Sequence, residues 1–233
     1  MLPLGAVIAW SLLVQTPTSL PSDCAVPSGL PERALSPAEI EALRASRIEA
    51  AARITGSIVD RLPPPEGVVR RLDAMAARSD TVVMATVHDS ICHVAPDGRT
   101  IMTHFVIQVD EAVKGTLHTG ERVVVQVRGG RVVFSGGAVA ETRVRSTEPM
   151  KRGARYVLFL TALPPPGGSA AQAAAADRRT FRPTFDGYSV FELTSGGRVR
   201  PALTVPFARN VASDYRDRPV PDFLAIVRAL RKP

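Results

Sequence analysis

The sequence predicts a mainly β chain of α+β class, a small barrel or sandwich with helices before it and one helix after it. Three observations carry this. Asp80 to Gly115 holds two β-branched apolar runs on either side of Ala95-Pro96-Asp97-Gly98, a turn in which proline presets φ and glycine takes the left-handed position. Val123, Val125 and Val127 alternate with Arg122, Gln126 and Arg128, as in a half-buried strand. Arg155 to Leu160 is apolar without alternation, which predicts a strand buried on both faces.

Register within the first pair follows from patterning. A type I turn with a bulge places Ala95 opposite Arg99. One face then carries Val83, Ala85, Val87, Ile91, Ile101, Phe105, Ile107 and Val109. A slip of one residue would mix this apolar set with Gln108 and Asp110. The other face, expected to be the more exposed, holds His88, Ser90 and Cys92 across from Met102, His104 and Val106.

Along the chain, Met1 to Val14 is an apolar run followed by Gln15-Thr16-Pro17-Thr18. It is too short for the ~20 helical residues that span a bilayer and suits the apolar region of a signal peptide, expected over residues 1–20. That implies export to a periplasmic or extracellular location. Residues 21–65 form an N-terminal arm. Within it Ser36-Pro37-Ala38-Glu39 is a capping box with proline at the first helical position. Ile40, Leu43, Ala50, Ala51 and Ile54 follow at helical spacing, so an amphipathic helix is expected to about Ile54, ended near Gly56. Pro63-Pro64-Pro65 breaks the chain. A second helix is expected from Glu66 to about Arg78, leading into the barrel domain, residues 66–210.

After Arg128, Gly129-Gly130 turns the chain and Arg131 to Ser135 continues as a short strand. Gly136 to Glu148 reads as a polar, irregular surface excursion. Residues 164–179 are low complexity, prolines and glycines then alanines, and are expected to be a loop. Gly187 to Leu193 and Arg198 to Leu203 form a second hairpin about Ser195-Gly196-Gly197. In the last segment, 211–233, Pro221-Asp222 opens a helix with Phe223, Ile226, Val227 and Leu230 as its apolar stripe.

Composition narrows the function classes. The chain is 45% hydrophobic, enough for a core, and carries a net charge of +7. Lys114, Lys151 and Lys232 are the only lysines, and the arginines are scattered rather than clustered. Single-strand binding by a barrel needs aromatic side chains on a basic groove. Only Phe105 and Phe134 are near the relevant strands, so no nucleic-acid partner is expected. A transmembrane span after signal removal is not expected either.

Several stretches carry a resemblance. Leu72-Asp73-Ala74-Met75-Ala76 leads into Ser79-Asp80-Thr81-Val82-Val83, Ile107 to Gly115 reads IQVDEAVKG, and Gly153 to Leu160 reads GARYVLFL. Together they resemble a module of exported bacterial proteins of unassigned function, with strands of the form aDxVVxGxV, VxVxxVxKG and GxxYLLFL. That module is similar to the OB-like barrel of netrin-type domains, to which tissue inhibitors of metalloproteinases belong. The resemblance implies an OB-like barrel. Ala85 stands where the first motif has glycine, and the inhibitors' N-terminal Cys-x-Cys is absent.

No residue is nominated as catalytic or cofactor-binding. There is no Gly-x-Ser-x-Gly elbow, and the glycine pairs are not followed by Gly-Lys-Ser/Thr. Ser90 faces His104 in the expected register, with no acid placed to orient the histidine. The metal candidates are His88, Cys92 and His104 on one face, a set suited to zinc or copper. Cys24 and Cys92 are the only cysteines. An exported chain would use them most simply as a disulfide, worth roughly 4 kcal/mol by the chain-entropy argument, the alternative being two thiols that never meet. The leading expectation is an exported, non-enzymatic β-barrel module that binds a protein or cell-envelope component. The alternative is a metal-binding protein or metal-dependent enzyme.

Overall fold

The computed structural model describes residues 47–62, 71–164, 179–203 and 214–230. The expected signal peptide, most of the N-terminal arm, Cys24, and residues 165–178 of the low-complexity stretch lie outside them. In chain order the elements are α1 (Ile48–Thr55), β1 (Ser57–Leu62), α2 (Leu72–Arg78), β2 (Thr81–Val94), β3 (Ile101–Lys114), β4 (Arg122–Arg128), β5 (Gly130–Val133) and β6 (Val139–Val144). Then come β7 (Arg155–Ala162), β8 (Thr180–Pro183), a 3-10 turn (Asp186–Ser189), β9 (Val190–Leu193), β10 (Val199–Pro201) and α3 (Val220–Ala229). The fold is mainly β, as expected. Among the described residues no helix is long and apolar enough to cross a membrane.

Five strands close a ring. β2 pairs antiparallel with β3 and with β7, and β3 pairs antiparallel with β4. β8 completes the circle by pairing parallel with β4 and antiparallel with β7. Counting only ring strands, the order round the barrel is 1-2-3-5-4, an OB-like arrangement. β9 and β10 extend the sheet beyond β7. A separate sheet, ordered β1-β6-β5, lies beside the ring, with β1 and β6 parallel.

Burial follows this geometry. Val83, Val87, Phe105, Ile107, Val125 and Leu158 fill the barrel with their neighbours. The outer wall of β2, β7 and β9 is covered in turn by α2 and α3, through Met75, Val82, Phe159, Phe191, Phe223 and Val227. β7 therefore has Tyr156 to Leu160 buried without interruption. A smaller cluster of Ile48, Ala52, Ile101 and Ala140 sits under α1. Lys114 donates from Nζ to the Ala76 and Ser79 carbonyls, at 2.7 and 2.6 Å. The Ala76 carbonyl also accepts from the Ser79 amide at 3.2 Å, and a cation there complements the C-terminal end of α2.

The hairpin register is corrected by one residue at its tip. Gly98 (φ 69°) donates to the Ala95 carbonyl and Ala95 donates to the Thr100 carbonyl, so Ala95 faces Thr100, not Arg99. The Asp97 carboxylate accepts from the Arg99 and Thr100 amides and the Thr100 hydroxyl. These bonds hold its pKa below the usual carboxylate range. A bulge at His88 then restores the expected pairing, so Val87 faces Ile107 and Ala85 faces Val109. Beyond the bulge the two faces of β2 exchange. Ile91, expected in the core, is 62% exposed, while Cys92 turns inward.

Further corrections concern elements the patterning missed. Arg71 is extended (φ −139°, ψ 140°), so α2 begins at Leu72 and is not continuous from Glu66. Within the expected polar excursion, Val139 to Val144 is the central strand of the small sheet. Ser57 to Leu62 and Thr180 to Pro183 are also strands.

Gly129 and Gly130 pass the chain from barrel to small sheet, with φ of 104° and 132°. A Cβ on Gly130 would meet Cys92 Sγ at 2.8 Å and the Thr103 hydroxyl closer still. Gly130→Ala is therefore expected to lose about 1–3 kcal/mol through the backbone conformation alone. Urea unfolding checks this, and wild-type stability would contradict the close approach.

Candidate functional site

The barrel mouth and the small sheet enclose a cleft of about 630 Å³, within the range typical of small-ligand sites. Its floor is apolar, made by Phe105 of β3, Val127 of β4, Met150, Val190 and Ala202. Its wall is β6, with Glu141, Thr142, Arg143 and Val144, continued by Arg61 of β1 and Arg145. Arg128, Glu148 and Asp186 complete the rim.

Strand pairing concentrates charge at this wall. β1 places Arg61 directly beside Arg143, and β5 places Arg131 beside Glu141. Glu141 is 4% exposed, and its Oε1 accepts from Arg143 Nε at 2.5 Å. Arg128 pairs with Asp186 across the rim at 3.5 Å. Glu141 Oε2, Thr142 Oγ1, Arg143 Nη2 and Arg131 Nε are all buried without a hydrogen-bond partner among the described residues. Such atoms are rare in folded proteins. Here those of Glu141, Arg143 and Arg131 share one face of the small sheet, and that of Thr142 lies on the other.

The sequence-nominated residues fall elsewhere. His88 is exposed at the bulge. Cys92 Sγ lies 3.2 Å from the Thr103 hydroxyl, which itself donates to the Gly129 carbonyl at 2.6 Å. His104 is the register partner of Ile91, not of Ser90, which faces Phe105. Its ring meets that of His93, centroids 4.5 Å apart at 67°. The exchange of faces at the bulge thus separates Cys92 from His104 and brings His93 to it instead. No group of three His, Cys, Asp or Glu residues suited to a metal ion occurs among the described residues. The candidate bridge between Cys24 and Cys92 lies outside the described residues at its first cysteine. Phe134 is half-buried beside the cluster under α1.

Burial, and secondarily the charge of His93, lowers the His104 pKa below the ordinary value. The unfolded chain then takes up a proton more readily than the folded one. Stability is expected to fall as pH drops through about 6.5 and to level off below the folded pKa. His104→Gln should flatten that step in melting curves recorded between pH 8 and 5. A step of unchanged size in the variant would assign it elsewhere. Tyr156 is buried in the barrel, which pushes its phenol up to about 12. Its oxygen accepts from the Lys151 amide at 2.8 Å, fixing the loop that carries Met150 to the cleft floor.

The cleft was not legible as a motif, because its arginines are dispersed between positions 61 and 145. The one signal in the sequence was the density of charge in Glu141-Thr142-Arg143-Val144-Arg145, which reads as solvated surface. No family model matches this chain, and the search of curated proteins finds no match to it.

Proposed function

We propose that this chain is an exported, non-enzymatic β-barrel module that binds a protein or cell-envelope component in the cleft between barrel and small sheet. The observation that carries the reading is the cleft itself: an apolar floor beside a wall of arginines and unpartnered buried polar atoms. Ligand sites combine apolar lining with a few convergent polar groups. The apolar run at Met1 to Val14 supports export. The motifs that resemble netrin-type modules fall on β2, β3 and β7, adjacent strands of the ring, which supports kinship with those barrels.

The test is capture from a cell-envelope fraction by wild type, by Val127→Trp, which fills the cleft, and by Ile91→Asp, which alters an exposed position that does not line the cleft. A component held by wild type and Ile91→Asp but lost by a folded Val127→Trp is expected. A component held equally by Val127→Trp, or lost only with Ile91→Asp, would overturn the reading.

A further inference from the structure

We infer that the ligand group taken by the cleft is the carboxylate end of a peptide whose last side chain is apolar. This rests on the cleft being a ligand site and adds the chemistry of what enters it. Arg61 and Arg143 are direct neighbours on adjacent strands, and like charges so placed repel. A carboxylate between them removes the repulsion and suits the forked guanidinium donors. Arg145, exposed on the same wall, adds positive charge at the entrance.

Glu141 argues against a bare anion. One of its oxygens is neutralised by Arg143, but Oε2 remains an acceptor without a donor among the described residues. The ligand that fits must therefore present an acceptor and, close by, an N–H. A peptide terminus does so, since the last amide N–H lies next to the terminal carboxylate. The apolar floor of Phe105, Val127, Met150, Val190 and Ala202 then receives the last side chain. Glu141 and Thr142 are almost fully covered, whereas the Arg143 side chain is 39% exposed. Because Glu141 Oε2 and Arg143 Nη2 are buried, the half-exposed Arg143 head must rotate for the incoming group to reach them.

Fluorescein-labelled tetrapeptides ending in leucine, valine, phenylalanine or alanine test this by fluorescence anisotropy, each with a free or an amidated terminus. At least one free-carboxylate peptide is expected to bind, with its amide about tenfold weaker. Arg143→Ala and Arg61→Ala should each weaken the free acid by a similar factor and leave the amide unchanged. Arg143→Lys should recover only part of the loss. Arg61 is exposed at the sheet edge, so its variant keeps the test valid if Arg143→Ala fails to fold.

Inorganic phosphate is the competing anion. If it displaces the peptide at equal concentration, the carboxylate assignment is overturned. Equal binding of acid and amide, both abolished by Val127→Trp, overturns the assignment while leaving the cleft as a ligand site. No binding by any free-acid peptide also overturns it, and envelope capture sensitive to Val127→Trp then still distinguishes a working cleft from none.

Discussion

Phe105→Ala is expected to lower stability by about 3–5 kcal/mol, whereas His88→Ala should cost little. Phe105 is 3% exposed, inside the barrel on β3, with Ser90 and Val125 as its register partners. Removing its ring leaves a cavity that the circle of paired strands cannot close without breaking ladder hydrogen bonds. His88 sits exposed at the bulge, and its side chain has no place in the core. Typical domains are stable by ~5–15 kcal/mol, so the first change is a large share of the total. Urea unfolding of both variants measures the contrast. Equal effects would mean that the face assignment around the bulge is wrong.

Phe191→Ala is expected to be as damaging, about 3–5 kcal/mol, for a different reason. Phe191 on β9 is fully buried, with its ring centroid 5.2 Å from that of Phe223 on α3, 6.0 Å from Phe159 and 6.5 Å from Tyr215. It joins the barrel's outer wall to the C-terminal helix, and edge-to-face rings add to the burial term. The variant should therefore lose α3 before the barrel. Limited proteolysis would cut first near the C-terminus, while the barrel strands retain slow amide exchange. A melting temperature like that of wild type would contradict the docking of α3 on this cluster.

Where a segment's own periodicity decides its structure, the sequence was informative. The β2–β3 pair, β4 and α3 carry their apolar residues at strand or helix spacing and β7 carries an unbroken apolar run, and each forms the expected element. Of the second hairpin, Val190–Leu193 and Val199–Pro201 are strands, while Gly187 to Ser189, expected as strand, belong to a 3-10 turn. β1, β6 and β8 are different. Asp60 and Arg61, then Glu141 to Arg143, then Arg182 and Pro183, give them no apolar alternation. They are strands because a neighbour supplies the hydrogen bonds, and two of their pairings are parallel and distant in sequence. Sheet propensity depends on such context. The cleft was hidden for the same reason, since its wall is β6 and its charge comes from strands that patterning did not pair. The expected face shared by His88, Cys92 and His104 was displaced by the bulge: a single inserted residue exchanges the faces of β2, so a register that is right at Val87 is wrong at Cys92.

Photo-crosslinking tests the cleft most directly, because it captures whatever occupies the cleft without the ligand having to be identified first. Benzoylphenylalanine would be placed at position 127 on the cleft floor or at position 91 on the exposed outer surface, and the protein irradiated in the cells that make it. A discrete adduct is expected from position 127, reduced when Arg61 and Arg143 are changed to alanine, with none above background from position 91. An adduct from position 91 alone would show that the occupied surface lies elsewhere and that the cleft is not the binding site.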